Sequence, residues 1–112
     1  MLDRFLARTS FTSYQDFSRG YQVTVPPRFN FVDKHMEPFL ITVEPRAEAE
    51  TVPRNAHPGQ EFNYVLEGTL HVEIDDHTVV LSPGDSIYFD ARHSHGMKAV
   101  GSAPARFVAV IL

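Results

Sequence analysis

Apolar and polar residues alternate through Leu70-His71-Val72-Glu73-Ile74, the pattern of a strand with one buried face. The same period of two runs through Tyr21-Gln22-Val23-Thr24-Val25. Residues 39–43 form an apolar, β-rich run that Glu44-Pro45-Arg46 closes. Further strands are expected over residues 61–66, 78–81, 86–89, 95–100 and 106–112. Glu67-Gly68, Asp75-Asp76-His77 and Ser82-Pro83-Gly84-Asp85 mark turns between them. Residues 47–53 are polar, with Glu48 and Glu50, and read as a loop or an edge strand. Short strands at this spacing, with no helical pattern after residue 10, predict an all-β barrel or sandwich.

The first 31 residues are patterned differently. Leu2, Phe5 and Leu6 fall on one face of a short helix, and the strand at 21–25 follows. Pro26-Pro27 then prevents any helix and any central-strand pairing. Residues 1–31 are therefore expected to form an N-terminal arm, a short helix plus a strand. It would lie across the barrel or a partner subunit. Residues 32–112 would form the barrel itself.

A chain of 112 residues with 43% hydrophobic content predicts one domain with a core of its own. Eight Pro and six Gly suit many sharp turns. The absence of Cys excludes disulfides, thiol chemistry and thiolate metal sites. Net charge is −4 and the ten basic residues are scattered, so no nucleic-acid partner is expected. No apolar run approaches the ~20 residues of a membrane span, so no membrane partner is expected. Asp3 sits early in Met1-Leu2-Asp3-Arg4-Phe5, which speaks against a signal peptide, and the expected location is cytoplasmic.

Alternation along strands also sorts the candidate chemistry. If His57 points inward, so does Asn55. Glu61, Asn63 and Val65 share one face of the next strand, and His95, Met97 and Ala99 share one face of a later one. A closed sheet would bring two imidazoles and one carboxylate together inside. An ionised Glu in an apolar interior is costly unless it is paired or metal-bound. Two readings follow: a divalent cation on His57, Glu61 and His95, or a hydrogen-bonded polar cluster without metal. A two-His, one-carboxylate set suits Zn, Fe, Mn or Ni and leaves coordination positions free.

Residues 55–68, Asn-Ala-His-Pro-Gly-Gln-Glu-Phe-Asn-Tyr-Val-Leu-Glu-Gly, resemble the first motif of the cupin superfamily. Residues 84–95, from Gly84-Asp85-Ser86-Ile87-Tyr88-Phe89 to His95, resemble its second motif. The resemblance implies a double-stranded β-helix, the jelly-roll barrel. Met36-Glu37-Pro38-Phe39 and His95-Gly96-Met97-Lys98-Ala99 are similar to small single-barrel cupins found C-terminal to helix-turn-helix domains of bacterial regulators. Two departures stand out. Asn55 occupies the place of the motif's first His, and an amide is a poorer ligand than imidazole. Asp90, Arg92 and Ala99 replace the second motif's Pro, Gly and Asn.

The remaining candidates have lesser roles. Asn55, Gln60, Asn63 and Met97 are expected to line a ligand pocket, Gln60 only if its strand bulges. Glu61 is the one candidate base, since burial would raise its pKa. His93 is placed at the barrel mouth, His71 and His77 in solvent, and His35 has no assigned role. Tyr64 and Tyr88 flank the motifs, and Tyr64 is expected to face away from Glu61. No nucleophile elbow or phosphate loop is present. The expected function is a small-molecule-binding or sensory module, metal-assisted, without its own DNA-binding domain. The alternative is a metal-dependent dioxygenase, isomerase or decarboxylase acting on a small metabolite. A barrel of roughly six to ten strands is expected. A homodimer is expected too, through the outward row Phe62, Tyr64 and Leu66.

Overall fold

The structure, a computed structural model, describes residues 12–16 as backbone and residues 21–25, 33, 35–47 and 49–112 in full. The expected helix at Leu2, Phe5 and Leu6, the Pro26-Pro27 stop and Glu48 lie outside the described residues. Among the described residues the chain forms nine strands and no helix. They are β1 (Thr12–Asp16), β2 (Tyr21–Val25), β3 (Glu37–Val43), β4 (Gln60–Glu67) and β5 (Leu70–Ile74). After these come β6 (His77–Leu81), β7 (Ser86–Asp90), β8 (His95–Ala99) and β9 (Ala105–Ile111). One six-stranded sheet has the order β1-β2-β3-β9-β4-β7, and a three-stranded sheet has the order β6-β5-β8. Every pairing within the sheets is antiparallel. This is the expected all-β jelly-roll barrel.

The alternation seen in the sequence becomes the two faces of β4. Glu61, Asn63 and Val65 are buried, whereas Phe62, Tyr64 and Leu66 are exposed. On β9, Ala105, Phe107 and Ala109 point inward. Phe107 is the largest fully buried side chain, flanked on the same face by the fully buried Ala105 and Ala109. The core continues through Val43, Leu70, Val72, Leu81 and Met97. Burying each such side chain contributes about 1.5–3 kcal/mol, which is what offsets the cost of the polar groups enclosed with them.

Strands β1 and β2, from the segment 1–31, are part of the large sheet. Val23 pairs with Ile41 of β3, and Tyr21 pairs with Val43. The turn after β5 is shorter than expected. Its loop is Asp75-Asp76, and His77 already pairs with Ile74 as the first residue of β6. Asp75 takes a φ of 53°, a left-handed conformation that Asp tolerates in tight turns. Among the described residues no helix is long and apolar enough to cross a membrane.

The two sheets are laced together by the connection from β3 to β4. Ala99 N donates to Glu44 O at 3.3 Å, near one end of β8. At its other end, Asn55 N donates to His95 O at 2.8 Å and His95 N donates to Asn55 O at 2.9 Å. This lacing requires close approach at Gly96. A Cβ there would lie 2.4 Å from Pro53 O and 2.9 Å from Val52 Cγ1. Gly96→Ala is therefore expected to push residues 52–55 off β8. Overpacking of this kind costs about 1–3 kcal/mol. Urea unfolding of the variant against wild type measures it; an unchanged midpoint would mean that the connection yields without cost.

Candidate metal centre

His57, Glu61 and His95 come from three places in the chain, and backbone hydrogen bonds fix each. Glu61 is the second residue of β4, paired with Phe89 of β7 and Ile111 of β9. His95 opens β8 and is held by the Asn55 bridge. His57 N donates to Ala91 O at 2.9 Å, and Ala91 N donates to Gly59 O at 3.0 Å. Gly59 allows the chain to turn from His57 into β4. Its φ is 95°, and a Cβ would meet Leu112 O at 1.8 Å, so no other residue fits there unchanged.

The three side chains meet inside the barrel. Each offers one donor atom, and these atoms all lie within 4.8 Å of one another. Nε2 of His57 is 3.1 Å from Glu61 Oε1, and Nε2 of His95 is 3.5 Å from the same oxygen. The two rings stand edge-on, with centroids 5.2 Å apart. Phe89 packs against the His95 ring at 4.9 Å and restricts its rotation.

The opposite ring nitrogens decide where the protons are. Nδ1 of His95 lies 2.7 Å from His93 O, and Nδ1 of His57 lies 3.2 Å from Pro58 O. A carbonyl oxygen can only accept, so both Nδ1 atoms carry hydrogen and donate. In a neutral imidazole the Nε2 atom is then a bare lone pair. Two lone pairs and a carboxylate oxygen converge, and all three are acceptors. Such a cluster is stable only with positive charge between its members, either a metal cation or protons on the Nε2 atoms. Backbone carbonyls accepting from the far nitrogen are also the usual support for metal-bound His.

The surroundings of Glu61 favour its carboxylate form. With no metal and protons on the Nε2 atoms, burial pushes its carboxyl up, but hydrogen bonds from His95 and Asn63, the charge on His95 and a hydrogen bond from His57 outweigh it. The net shift is downward. The direction is the opposite of the rise expected from burial alone. Asn63 is fully buried, and its Nδ2 donates to Glu61 Oε2 at 3.0 Å. That bond occupies the second oxygen and leaves Oε1 facing the imidazoles. Asn63 thus orients Glu61; it is not among the residues that line the cavity.

A cavity of about 150 Å³ opens beside the three donors. Asn55 and Met97 line it. Gln60 does not. It is exposed on the outer face, where Tyr88 Oη donates to its Oε1. The bulge that could have turned it inward lies at the far end of β4, between Val65 and Glu67. The lining also includes Tyr21 and Val23 of β2 with Phe39 and Ile41 of β3, none of them singled out in the sequence as site residues. The alternation of Tyr21 and Val23 was the available signal, but it did not show which strand β2 would join.

The other histidines lie elsewhere. His93 is exposed, with Nδ1 at 2.6 Å from Asp75 Oδ2. His77 is exposed beside Asp76, and His35 is exposed. His71 is half-buried rather than solvated, and its Nε2 lies 2.8 Å from Glu73 Oε2. Arg54 Nη2 donates to the other oxygen of Glu73 at 2.9 Å and Nη1 donates to Asp75 O at 2.7 Å. These bonds anchor the residue next to Asn55. Tyr64 and Tyr88 are exposed, away from the site.

The lowered Glu61 carboxyl has a consequence for acid stability. A group whose pKa falls on folding favours the folded state above its ordinary value, and that contribution fades as pH drops through the lowered value. Metal-free wild type should therefore lose more stability than Glu61→Gln on acidification from neutrality to about pH 3. Urea unfolding followed by circular dichroism across that range checks this. Parallel losses in both proteins would rule out Glu61 as the titrating group.

The comparisons with known proteins agree with this architecture. By fold, the chain is similar to hydroxypropylphosphonic acid epoxidase from S. wedmorenis, with a TM-score of 0.78 and 22% identity over 91% of this chain and 55% of that one. It is similar to an Fe(II) form of HppE at a TM-score of 0.76 and 21% identity, over 91% of this chain and 56% of that one. A cupin superfamily protein from Desulfitobacterium hafniense DCB-2 aligns at a TM-score of 0.65 and 16% identity, over 82% of this chain and 76% of that one. The chain thus spans about 55% of the epoxidase chain it matches. No curated protein matches the sequence significantly. The family model described as "Cupin domain" matches residues 39–111, which include every strand from β4 to β9 and all three inward donors, and the chain accordingly belongs to the cupin domain family.

Proposed function

We propose that this cupin binds a small molecule through a divalent cation held by His57, Glu61 and His95. The observation that carries the proposal is the meeting of one donor atom each from His57, Glu61 and His95 within 4.8 Å, with both Nδ1 atoms facing backbone carbonyls. The donors are nitrogen and oxygen, with no sulfur, which fits Zn, Fe, Mn or Ni. A cation bound there supplies Lewis acidity and open coordination positions for an oxygen of the ligand. The protein residues fix the donors: Asn63 holds Oε2 of Glu61, and Phe89 holds the His95 ring. Asn55 stands at the cavity wall in place of a third imidazole, so the set is weaker than a three-His site. A sensory or binding role needs no more than this.

The second reading is a metal-dependent enzyme, to which the likeness to an epoxidase fold and the open cavity both lend support. It must find its proton carriers among few residues. Among the described residues that line the cavity, Tyr21 is the only ionisable side chain outside the donor set. Plain binding is therefore the stronger reading. The expected homodimer is supported by the apolar row Phe62, Tyr64 and Leu66 on β4 with Tyr88 on β7, which is 63% exposed.

Metal-reconstituted protein should hold close to one Co(II) or Zn(II) per chain by elemental analysis, and His57→Ala, Glu61→Gln and His95→Ala should each abolish it. A stoichiometry near zero in wild type overturns the proposal. Asn63→Ala should leave the donors in place but weaken metal affinity by about 10–100-fold, the usual effect of removing a bond to a ligating group. Competition against a fluorescent chelator measures this. In light scattering, wild type at micromolar concentration should run as a dimer, and Tyr64→Glu with Leu66→Glu should shift it toward monomer.

A further inference from the structure

The lining of the cavity restricts what can enter it. Val23, Phe39, Ile41, Met97, Phe107 and Ile111 give it apolar walls. Among the described residues that line it there is no Lys and no Arg. Charge is concentrated at one end, where Glu61 and the two imidazoles lie. With a divalent cation there, Glu61 cancels one of its two charges and one positive charge remains. A single negative group on the ligand would complete the neutralisation. A dianion would leave an unpaired negative charge inside an apolar wall, which is strongly unfavourable. A neutral ligand would leave the positive charge unmatched. The volume, about 150 Å³, is that of an apolar cavity known to accept benzene.

We infer that the cavity takes a compact, mostly apolar monocarboxylate, with its carboxylate at the His57–Glu61–His95 end and its apolar body against Val23, Ile41 and Phe107. This rests on the metal-binding reading above and names the ligand class for the same site. Among the described lining residues no Lys or Arg meets a second negative charge, and β2 and β3 supply much of the apolar surface.

Three probes with one apolar body and different head groups test it: benzoate, phenylphosphonate as its dianion, and benzamide. Each is titrated into Co(II)-loaded protein, and the visible absorption of the cobalt reports entry to the coordination sphere. Benzoate is expected to bind at least about tenfold more tightly than either of the others. Ile41→Lys, which adds a cation to the wall, is expected to narrow the gap between benzoate and phenylphosphonate. Equal or tighter binding of phenylphosphonate or benzamide to wild type overturns the inference while leaving the metal site standing. Cobalt uptake with no spectral response to any probe does the same. Failure to take up cobalt overturns the metal reading and this inference together.

Discussion

The antiparallel bridge between Asn55 and His95 is the constraint on which the rest of the site depends. It joins the β3–β4 connection of the large sheet to the first residue of β8 in the small one. Two backbone bonds of 2.8 and 2.9 Å fix the distance between residues that are forty positions apart. Through it, His95 is brought over the face of β4 that carries Glu61. The same stretch then delivers His57, tied to Ala91 two residues further on. Gly96 is part of the same arrangement, because Pro53 O occupies the space a side chain would need. The polar site is therefore a product of barrel closure.

Closure has an electrostatic consequence. Glu61 is taken out of water, and a buried carboxylate is tolerated only if something positive or donating meets each oxygen. Asn63 meets Oε2. Oε1 is met by two Nε2 atoms whose opposite nitrogens are already donating to Pro58 O and His93 O. Without a metal, each of those Nε2 atoms must carry a proton for its contact to be attractive. Two imidazolium rings against one carboxylate would leave a positive charge in a site lined mostly by apolar side chains. A single divalent cation satisfies all three donors at once and leaves the same net charge where a ligand can reach it. The geometry thus favours one cation over two protons on directional grounds, since one centre accepts three lone pairs.

Much of this was legible from the period of two. Alternation alone placed Glu61, Asn63 and Val65 on one face of β4 and Phe62, Tyr64 and Leu66 on the other, and it placed His95, Met97 and Ala99 together. The all-β architecture followed from the spacing of turns. What alternation could not give was the pairing of strands distant in sequence. Nothing in Tyr21-Gln22-Val23 names Ile41 and Thr42 as partners, because register is set by contacts across the barrel. Nor did it show how polar neighbours divide their bonds. Asn63 has the right face for a pocket residue but gives its amide to Glu61. Gln60 has the wrong face, and only a bulge could have reversed it; the bulge in β4 is five residues away. The Glu61 carboxyl was misjudged because burial and hydrogen bonding oppose each other, and the donors from three elements outweigh burial.

The division of labour within the chain follows from the same topology. The three donors lie within residues 39–111, the part that matches the cupin family. Tyr21 and Val23 lie before it, on a strand that adds to the sheet through β3. Their side chains line the cavity, and they carry no catalytic or ligating group other than the Tyr21 phenol. Replacing β2 by a different hairpin would leave the β4–β8 convergence in place, since neither strand pairs with β2. It would change the shape and polarity of the wall. A barrel built in this way can keep one cation-binding geometry while its ligand changes with the sequence of an added strand. In this chain that strand contributes an aromatic ring and a β-branched side chain to the lining.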